Sequence, residues 1–358
     1  MTTASDDGFL KAAIKLAEAG LFTTTPNPRV GCLLVKDGRV IGRGWHERHG
    51  GPHAEVAALN AVKGSARGAT CYVSLEPCAF QGRTPPCTDA LIAAGVARVV
   101  AAMRDPHPNV AGRGFELLEA AGIATECADM SQARAVNAGY CARIERGRPW
   151  VRIKVAASLD GRTAMASGES QWITSREARA DVQYWRARSC AVVSGIGTVL
   201  ADDPQLNVRD ESFRRGGVIR QPLRVICDSA LRTPVTAALF STPDPVLVFT
   251  TVEGDHAKAE VVRQAAEKVD LQAMFDELAR RGCNEVLVEA GPGLTGAILA
   301  EGLWDEALVY LAPKLLGSNA QPLAELALDQ LSEAVEVELA DVTKVGPDLR
   351  LRVLRKSK

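Results

Sequence analysis

Along the chain, apolar positions switch between a helical period and a strand period, and that switching predicts the architecture. Residues 6–20 carry apolar side chains at helical spacing and end at Gly20. Arg29 to Val35 and Arg39 to Gly42 read as strands joined at Asp37-Gly38, a pair that favours a two-residue hairpin turn. The pattern then alternates: helix from His53 to Val62, strand from Thr70 to Leu75, helix from Thr88 to Ala94, strand from Arg98 to Met103. Helix from Gly114 to Ala121 and strand from Ile123 to Cys127 follow. Strands interleaved with helices predict an α/β fold, a sheet covered on both faces.

Arg143 to Pro149 is charged and contains glycine and proline, which predicts a linker and two domains, 1–146 and 147–358. Beyond it, strands are predicted at Trp150 to Ala157, Cys190 to Ser194, Leu223 to Asp228, Val246 to Thr250 and Glu285 to Glu289. Helices are predicted at Ser175 to Arg188, Leu271 to Arg281 and Leu294 to Ala300, and a hairpin over Val335 to Leu354 turning near Gly346-Pro347. The two halves carry different motifs, which argues against a duplication.

A length of 358 residues suits two domains better than one core. A formal net charge of −1 gives no global field toward nucleic acid or an anionic membrane, so neither partner is expected. The acidic start, Met1 to Asp7, does not read as a secretory signal, and no apolar run is long enough to cross a bilayer. Nine cysteines, an odd number, fit a reduced cytoplasmic protein. Cys32, Cys71, Cys190 and Cys227 lie in strand-like apolar runs and read as buried small hydrophobes.

Chemistry concentrates in His53-Ala54-Glu55, Pro77-Cys78 and Cys87. One histidine and two cysteines make a three-ligand zinc site that leaves a fourth position for water, whereas a structural site would use four ligands. His-x-Glu followed by Pro-Cys and a further Cys is the pattern of zinc-dependent deaminases. Pro52 sets His53 at the first turn of its helix, Pro85-Pro86 set Cys87 at the start of the next, and Cys78 is expected at the end of the Thr70 strand. Glu55, on the same turn as His53, reads as the proton carrier between water, the ring nitrogen and the leaving ammonia. His46 and His49 stand nearby, and the choice between substrate contact and loop packing is open for both.

Eight residues separate Cys78 from Cys87, where nucleic-acid deaminases have two. The segments Thr25 to Gly31, His46 to Glu55 and Gly82 to Cys87 closely resemble the bifunctional deaminase/reductase family of riboflavin biosynthesis. So do Ser158 to Thr163, Gly168 to Thr174, Thr198 to Pro204 and Val288 to Gly293. The resemblance runs through nearly the whole chain in the family's order. It implies a cytidine-deaminase-like α/β/α domain followed by a dihydrofolate-reductase-like α/β domain. It also implies a diaminopyrimidinone substrate bearing a ribosylamino 5-phosphate. Asn27 is then expected near the ring, and Arg83, Asp105 and Asn109 at the ribose-phosphate end. Many relatives carry a histidine soon after the first zinc cysteine, where this chain has Ala79-Phe80-Gln81. No role of that histidine is carried over.

The second half lacks a Gly-x-Gly-x-x-Gly fingerprint after its first strand, which speaks against a Rossmann dehydrogenase. It has instead a strand, a glycine turn and a helix at Val286 to Ala297, a loop whose free N–H groups suit phosphate. The resemblance implies NADPH-dependent reduction of the ribosyl group to a ribityl chain. Asp202 is then the catalytic candidate and also borders the cofactor. Ala156, Trp172, Thr198, Ser229 and the turn Gly291, Pro292, Gly293, Leu294, Thr295, Gly296 and Ala297 are expected along NADPH. Ser170, Arg186, Leu206, Arg209 and Glu289 are expected at the substrate, with Arg186 and Arg209 at its phosphate. Lys154 is left without a role. A homodimer is expected, as is usual for both fold types. The rivals are a deaminase of nucleic acid, which predicts closely spaced cysteines and a basic or aromatic surface, and an inert scaffold, which predicts loss of Glu55 or of a ligand.

Overall fold

The structure, a computed structural model, describes residues 4–82 and 84–356. The chain divides into two compact units, Met1–Gly147 and Arg148–Lys358.

The first unit is a five-stranded sheet between helices. Its elements are α1 (Ala4–Ala17), β1 (Gly31–Lys36), β2 (Arg39–Trp45), α2 (Ala54–Asn60), β3 (Thr70–Val73) and α3 (Cys87–Ala94). They continue with β4 (Arg98–Ala101), α4 (Arg113–Ala120), β5 (Ala124–Cys127), α5 (Ser131–Val136) and α6 (Ala138–Arg146). The strand order is β2-β1-β3-β4-β5. The first two neighbour pairs are antiparallel and the last two parallel. Asp37 and Gly38 both have positive φ, 49° and 71°, the backbone that a tight hairpin with right-handed twist requires.

Side chains of β1 alternate between two cores. Leu33 and Val35 face Leu10, Ala13 and Ile14 of α1, while Cys32 and Leu34 face Ala54 and Ala58 of α2. Helix α2 lies unusually close to β2. A Cβ on Gly42 would come 2.4 Å from the Ala58 carbonyl oxygen, and one on Gly44 2.3 Å from the Ala58 nitrogen. The two glycines, one period of the strand apart, let the helix that carries Glu55 settle onto the sheet.

The predicted linker does not hold in full: α6 runs through Arg143 to Arg146 and ends on Gly147 in the left-handed conformation. Basic residues in the last turn and a glycine cap end a helix as readily as they mark a linker.

The second unit is built on a nine-stranded sheet. Its elements are β6 (Trp150–Ser158), β7 (Arg162–Ala164), α7 (Arg176–Arg188), β8 (Ala191–Gly195), α8 (Ile196–Asp202) and β9 (Leu223–Cys227). Then follow β10 (Val246–Thr250), β11 (Glu260–Arg263), α9 (Leu271–Arg280), β12 (Glu285–Val288), α10 (Pro292–Ala300) and β13 (Glu306–Ala312). The last are β14 (Gln321–Pro322), β15 (Val337–Val345) and β16 (Asp348–Arg355). The order is β11-β10-β9-β8-β12-β6-β13-β16-β15. The strands from β11 to β13 run parallel, and the β15–β16 hairpin closes the far edge antiparallel.

In β6, Val151, Ile153, Val155 and Ala157 enter the core under α9 and α10. The period of two sends Arg152, Lys154 and Ala156 to the opposite face, where Arg152 lies over the Trp185 ring of α7. Thr198, Ser229 and Gly291 follow the carboxyl ends of β8, β9 and β12, where open parallel sheets bind ligands.

Candidate active sites

In the first unit His53, predicted as the first residue of its helix, is the extended residue one position before α2. Cys87 opens α3 directly after Pro86, as expected. Cys78 does not end a strand: β3 stops at Val73, and Cys78 lies five residues on, in the loop beyond. There it receives the Cys87 backbone N–H at its sulfur, 3.3 Å away, so the start of α3 stabilises a thiolate.

The donor atoms of His53, Cys78 and Cys87 lie within 4.8 Å of one another, the one such group among the described residues. His53 Nδ1 is 3.2 Å from Cys87 Sγ and 3.4 Å from Cys78 Sγ. Tetrahedral zinc with bonds of about 2.0 Å to nitrogen and 2.3 Å to sulfur has edges of about 3.5 Å, so this donor set fits zinc. The second imidazole nitrogen, Nε2, is 3.3 Å from Thr84 Oγ1, the outer contact that fixes a ligating histidine. The hydrogen bond from Cys87, aided by His53, brings the Cys78 thiol down to about 4, against burial. That same bond first, and then burial, hold the Cys87 thiol well above the usual range.

Glu55 is 3% exposed. Burial first, and then the Cys78 charge, push its carboxyl up to about 7, suited to giving and taking a proton at neutral pH. Asn27 is hydrogen-bonded to both His46 and His49, and the His46 ring stands edge-on to that of His53.

Asp105 is buried. Its Oδ1 accepts from the His107 N–H at 2.8 Å and from the Tyr140 hydroxyl at 2.9 Å. Burial raises its pKa to about 6. This carboxylate oxygen is engaged within the fold, where Asp105 starts the turn at Pro106. Asn109 is exposed on the same loop, and Arg83 lies outside the described residues. Phe80, in the segment that lacks the relatives' histidine, stacks on His107 with ring centroids 5.8 Å apart.

One more carboxylate organises this unit. Glu76, buried, accepts from the N–H groups of Asp105, Gly112 and Gly114, and so ties the 105–114 loop to the segment that carries Cys78. Its position directly before Pro77-Cys78 was the available signal.

In the second unit Asp202 ends α8, and its Oδ1 accepts from Ser170 Oγ at 3.1 Å. Arg186 is committed to Glu289 through two parallel bonds, Nε to Oε1 at 2.6 Å and Nη2 to Oε2 at 2.9 Å, and donates through Nη1 to the Asn207 carbonyl. Burial works to raise the Glu289 carboxyl, but Arg186 overcomes it and holds it below its usual value. Arg209 Nη1 donates to Gln205 and Asn207.

Lys154, without a role in the sequence reading, belongs to this cluster. Burial and Arg186 lower its pKa, while Glu289 and Asp202 counteract them. Only the register of β6 reveals this. The Leu206 side chain is 1% exposed and packs in the core, which leaves its backbone for the expected contact with substrate.

Thr198 Oγ1 accepts from the Gly291 N–H at 3.1 Å, which ties α8 to the glycine turn. Helix α10 starts there with Pro292 in its first turn and no side-chain cap, so its N–H groups suit a cofactor phosphate. Ser229 accepts from the Val269 N–H through Oγ and from Thr250 and Thr251 through its carbonyl oxygen. Trp172 is 61% exposed, with the Arg179 guanidinium 4.1 Å from its ring centre, and Ala156 is half-buried on the Lys154 face of β6.

Comparison with known proteins bears on both units. Residues 3–103 match the cytidine and deoxycytidylate deaminase zinc-binding region, and residues 149–351 match the RibD C-terminal domain. The chain is 47% identical to the riboflavin biosynthesis protein RibD of Escherichia coli, over 98% of this chain and 99% of that one. It is 38% identical to the RibD of Aquifex aeolicus, over 96% and 97%. Among solved structures it resembles Acinetobacter baumannii RibD with a TM-score of 0.94 and 44% identity, over 99% of both chains. It also resembles a Thermotoga maritima diaminohydroxyphosphoribosylaminopyrimidine deaminase/5-amino-6-(5-phosphoribosylamino)uracil reductase, with a TM-score of 0.88 and 32% identity over 98% and 99%. With a zinc-ligand triad in one unit, a glycine turn and acid–base cluster in the other, and relatives matched end to end, the chain belongs to the RibD family of riboflavin-biosynthesis deaminase/reductases.

Proposed function

We infer that the chain catalyses two consecutive steps of riboflavin synthesis. Residues 1–146 deaminate 2,5-diamino-6-(5-phosphoribosylamino)pyrimidin-4-one to 5-amino-6-(5-phosphoribosylamino)uracil. Residues 147–358 reduce its ribosyl group to the ribityl product with NADPH. The observation that carries this reading is the His53, Cys78 and Cys87 triad with a buried carboxyl two residues from its histidine.

His53, Cys78 and Cys87 would hold zinc, which would supply the activation of water at neutral pH. Glu55 takes a proton from the attacking water, delivers it to the ring nitrogen, and assists ammonia as it leaves. Asn27 contacts the ring. Arg83, Asp105 and Asn109 serve the ribose-phosphate end of the substrate.

Ala156, Trp172, Thr198, Ser229 and the turn from Gly291 to Ala297 border NADPH, which when bound supplies hydride. Asp202, held by Ser170, helps open the aminal and stabilises the cation that results. Lys154, which feels the charges of Glu289 and Asp202, exchanges a proton with the sugar hydroxyls. Arg209 takes the substrate phosphate, and Arg186 orients Glu289 toward the substrate.

A homodimer fits the far edge of the second sheet. Strand β15 is unpaired on its outer side and exposes Val337, Leu339 and Val342, a surface that a second copy would cover. A single-chain mass in light scattering overturns that part. No helix among the described residues is long and apolar enough to cross a membrane. Action in the cytoplasm suits nine free cysteines, and recovery from the periplasmic fraction overturns it.

The test is a mass-resolved assay of the zinc-loaded protein with the phosphorylated diaminopyrimidinone. Ammonia release without NADPH, followed by the ribityl product when NADPH is added, is the expected result. Deamination without reduction confines the reading to the first unit, and no turnover in either condition overturns it.

A further inference from the structure

Asn27 is the hub of a hydrogen-bonded chain whose polarity follows from one fixed end. The Pro52 carbonyl oxygen can only accept, and His46 Nδ1 lies 2.9 Å from it, so Nδ1 carries the proton. In a neutral imidazole the other nitrogen then accepts, and it faces Asn27 Nδ2 at 3.1 Å. The opposite end of the same amide, Oδ1, lies 3.1 Å from His49 Nδ1, which donates to it. Every donor in the chain meets an acceptor. A flipped Asn27 amide would put two acceptors, Oδ1 and the unprotonated His46 Nε2, against each other.

The placement is as specific as the polarity. His46 is 3% exposed and follows β2, and its ring stands edge-on to the His53 ring with centroids 5.4 Å apart. Pro52, which fixes the tautomer, is the residue directly before His53. One imidazole thus links the backbone of the zinc-ligand segment to an amide nineteen residues before it in the chain.

We propose that His46 is a positioning residue of the deamination that acts through Asn27. It holds the amide so that one N–H and one oxygen lone pair remain for the substrate. That pair matches a ring edge with an acceptor nitrogen next to a donor N–H, the edge of an aminopyrimidinone. The inference rests on the deaminase reading and adds the device that sets which edge is read.

The experiment is a double-mutant cycle on the zinc-loaded full chain with His46→Phe, Asn27→Ala and the pair, with zinc content measured in each. Wild-type protein must first release ammonia; if it does not, the deaminase reading falls and the inference with it. With wild type active, His46→Phe is expected to lower kcat/KM for deamination by about 10²-fold, the scale of a small misplacement. In the Asn27→Ala background it is expected to add no further loss. Losses that multiply across the pair, at unchanged zinc content, overturn the proposal alone. Nitrogen-15 NMR of the wild-type imidazoles supplies a readout independent of variant folding and of activity. His46 is expected as the Nδ1–H tautomer, the minor form in water, and an Nε2–H tautomer overturns the proposal.

Discussion

Glu55 shows how much a single position decides. It sits in the first turn of α2, 3% exposed, and burial has pushed its carboxyl up to about 7. A carboxyl there exchanges protons at neutral pH, and an amide of the same shape cannot. Glu55→Gln is therefore expected to lower kcat for ammonia release by about 10²–10⁴-fold, the usual worth of a positioned acid–base group. Zinc content and the reduction of separately supplied uracil substrate are expected to stay at wild-type values. Deamination within tenfold of wild type would remove Glu55 from the mechanism. The residues that matter here differ in how legible they are. His53, Glu55, Cys78 and Cys87 announce themselves by spacing, because the zinc ligation and proton transfer proposed for them restrict residue types. His46, Glu76 and Lys154 do not. Their partners lie 19, 36 and 135 residues away, at Asn27, Gly112 and Glu289, and only tertiary structure joins them.

At the scale of elements, the deaminase site depends on how closely α2 approaches β2. Gly44 makes that approach possible, since a Cβ there would lie 2.3 Å from the Ala58 nitrogen and 2.4 Å from the Ala54 carbonyl oxygen. Both atoms belong to helix backbone and cannot rotate away. Gly44→Ala must therefore push α2 outward and carry His53 and Glu55 with it. Overpacking of this kind costs about 1–3 kcal/mol. The expected outcome is a lower unfolding midpoint for the deaminase unit and at least a tenfold loss of ammonia release, with reduction unchanged; a fully active variant would show that the helix placement is not critical. Most elements were readable because apolar pattern and turn chemistry agree in them, as at Asp37-Gly38. Helix α8 was missed because its sequence, Ile-Gly-Thr-Val-Leu-Ala-Asp, is rich in β-branched residues and glycine, and packing overrides that preference. Strand β13 was missed although it pairs with β6 near the middle of the sheet. A short apolar run carries no periodicity to separate strand from buried helix.

At the scale of the whole molecule, two chemistries with different needs share one chain, and acid should reveal the difference. The first unit depends on thiolates and a metal. The second has beneath its sheet a buried ionic network that needs neither. There Glu306, 1% exposed, accepts from Arg152 at 2.8 Å, from Trp150 Nε1 at 3.0 Å and from Arg352 at 2.5 Å. Arg152 is also paired with Glu285, which Arg188 engages from its other side. Burial works to raise the Glu306 carboxyl, but Arg152 and Arg352 overcome it and bring it from 4.5 down to about 2. A carboxylate with a depressed pKa adds stability that is complete above the unfolded value and is lost as pH falls through the folded one. The window is thus pH 4.5 down to about 2, and the contribution is on the order of 3 kcal/mol. Urea unfolding of the second unit across that window, in wild type and in Glu306→Gln, measures it. The variant is expected to be less stable by about 3–5 kcal/mol near neutrality, since Arg152 is left buried with one carboxylate fewer. It should also lose much of the slope below pH 4.5, so that the two curves converge toward pH 2. Parallel curves would mean that Glu306 titrates alike in the folded and unfolded chains, and that the network contributes packing rather than charge.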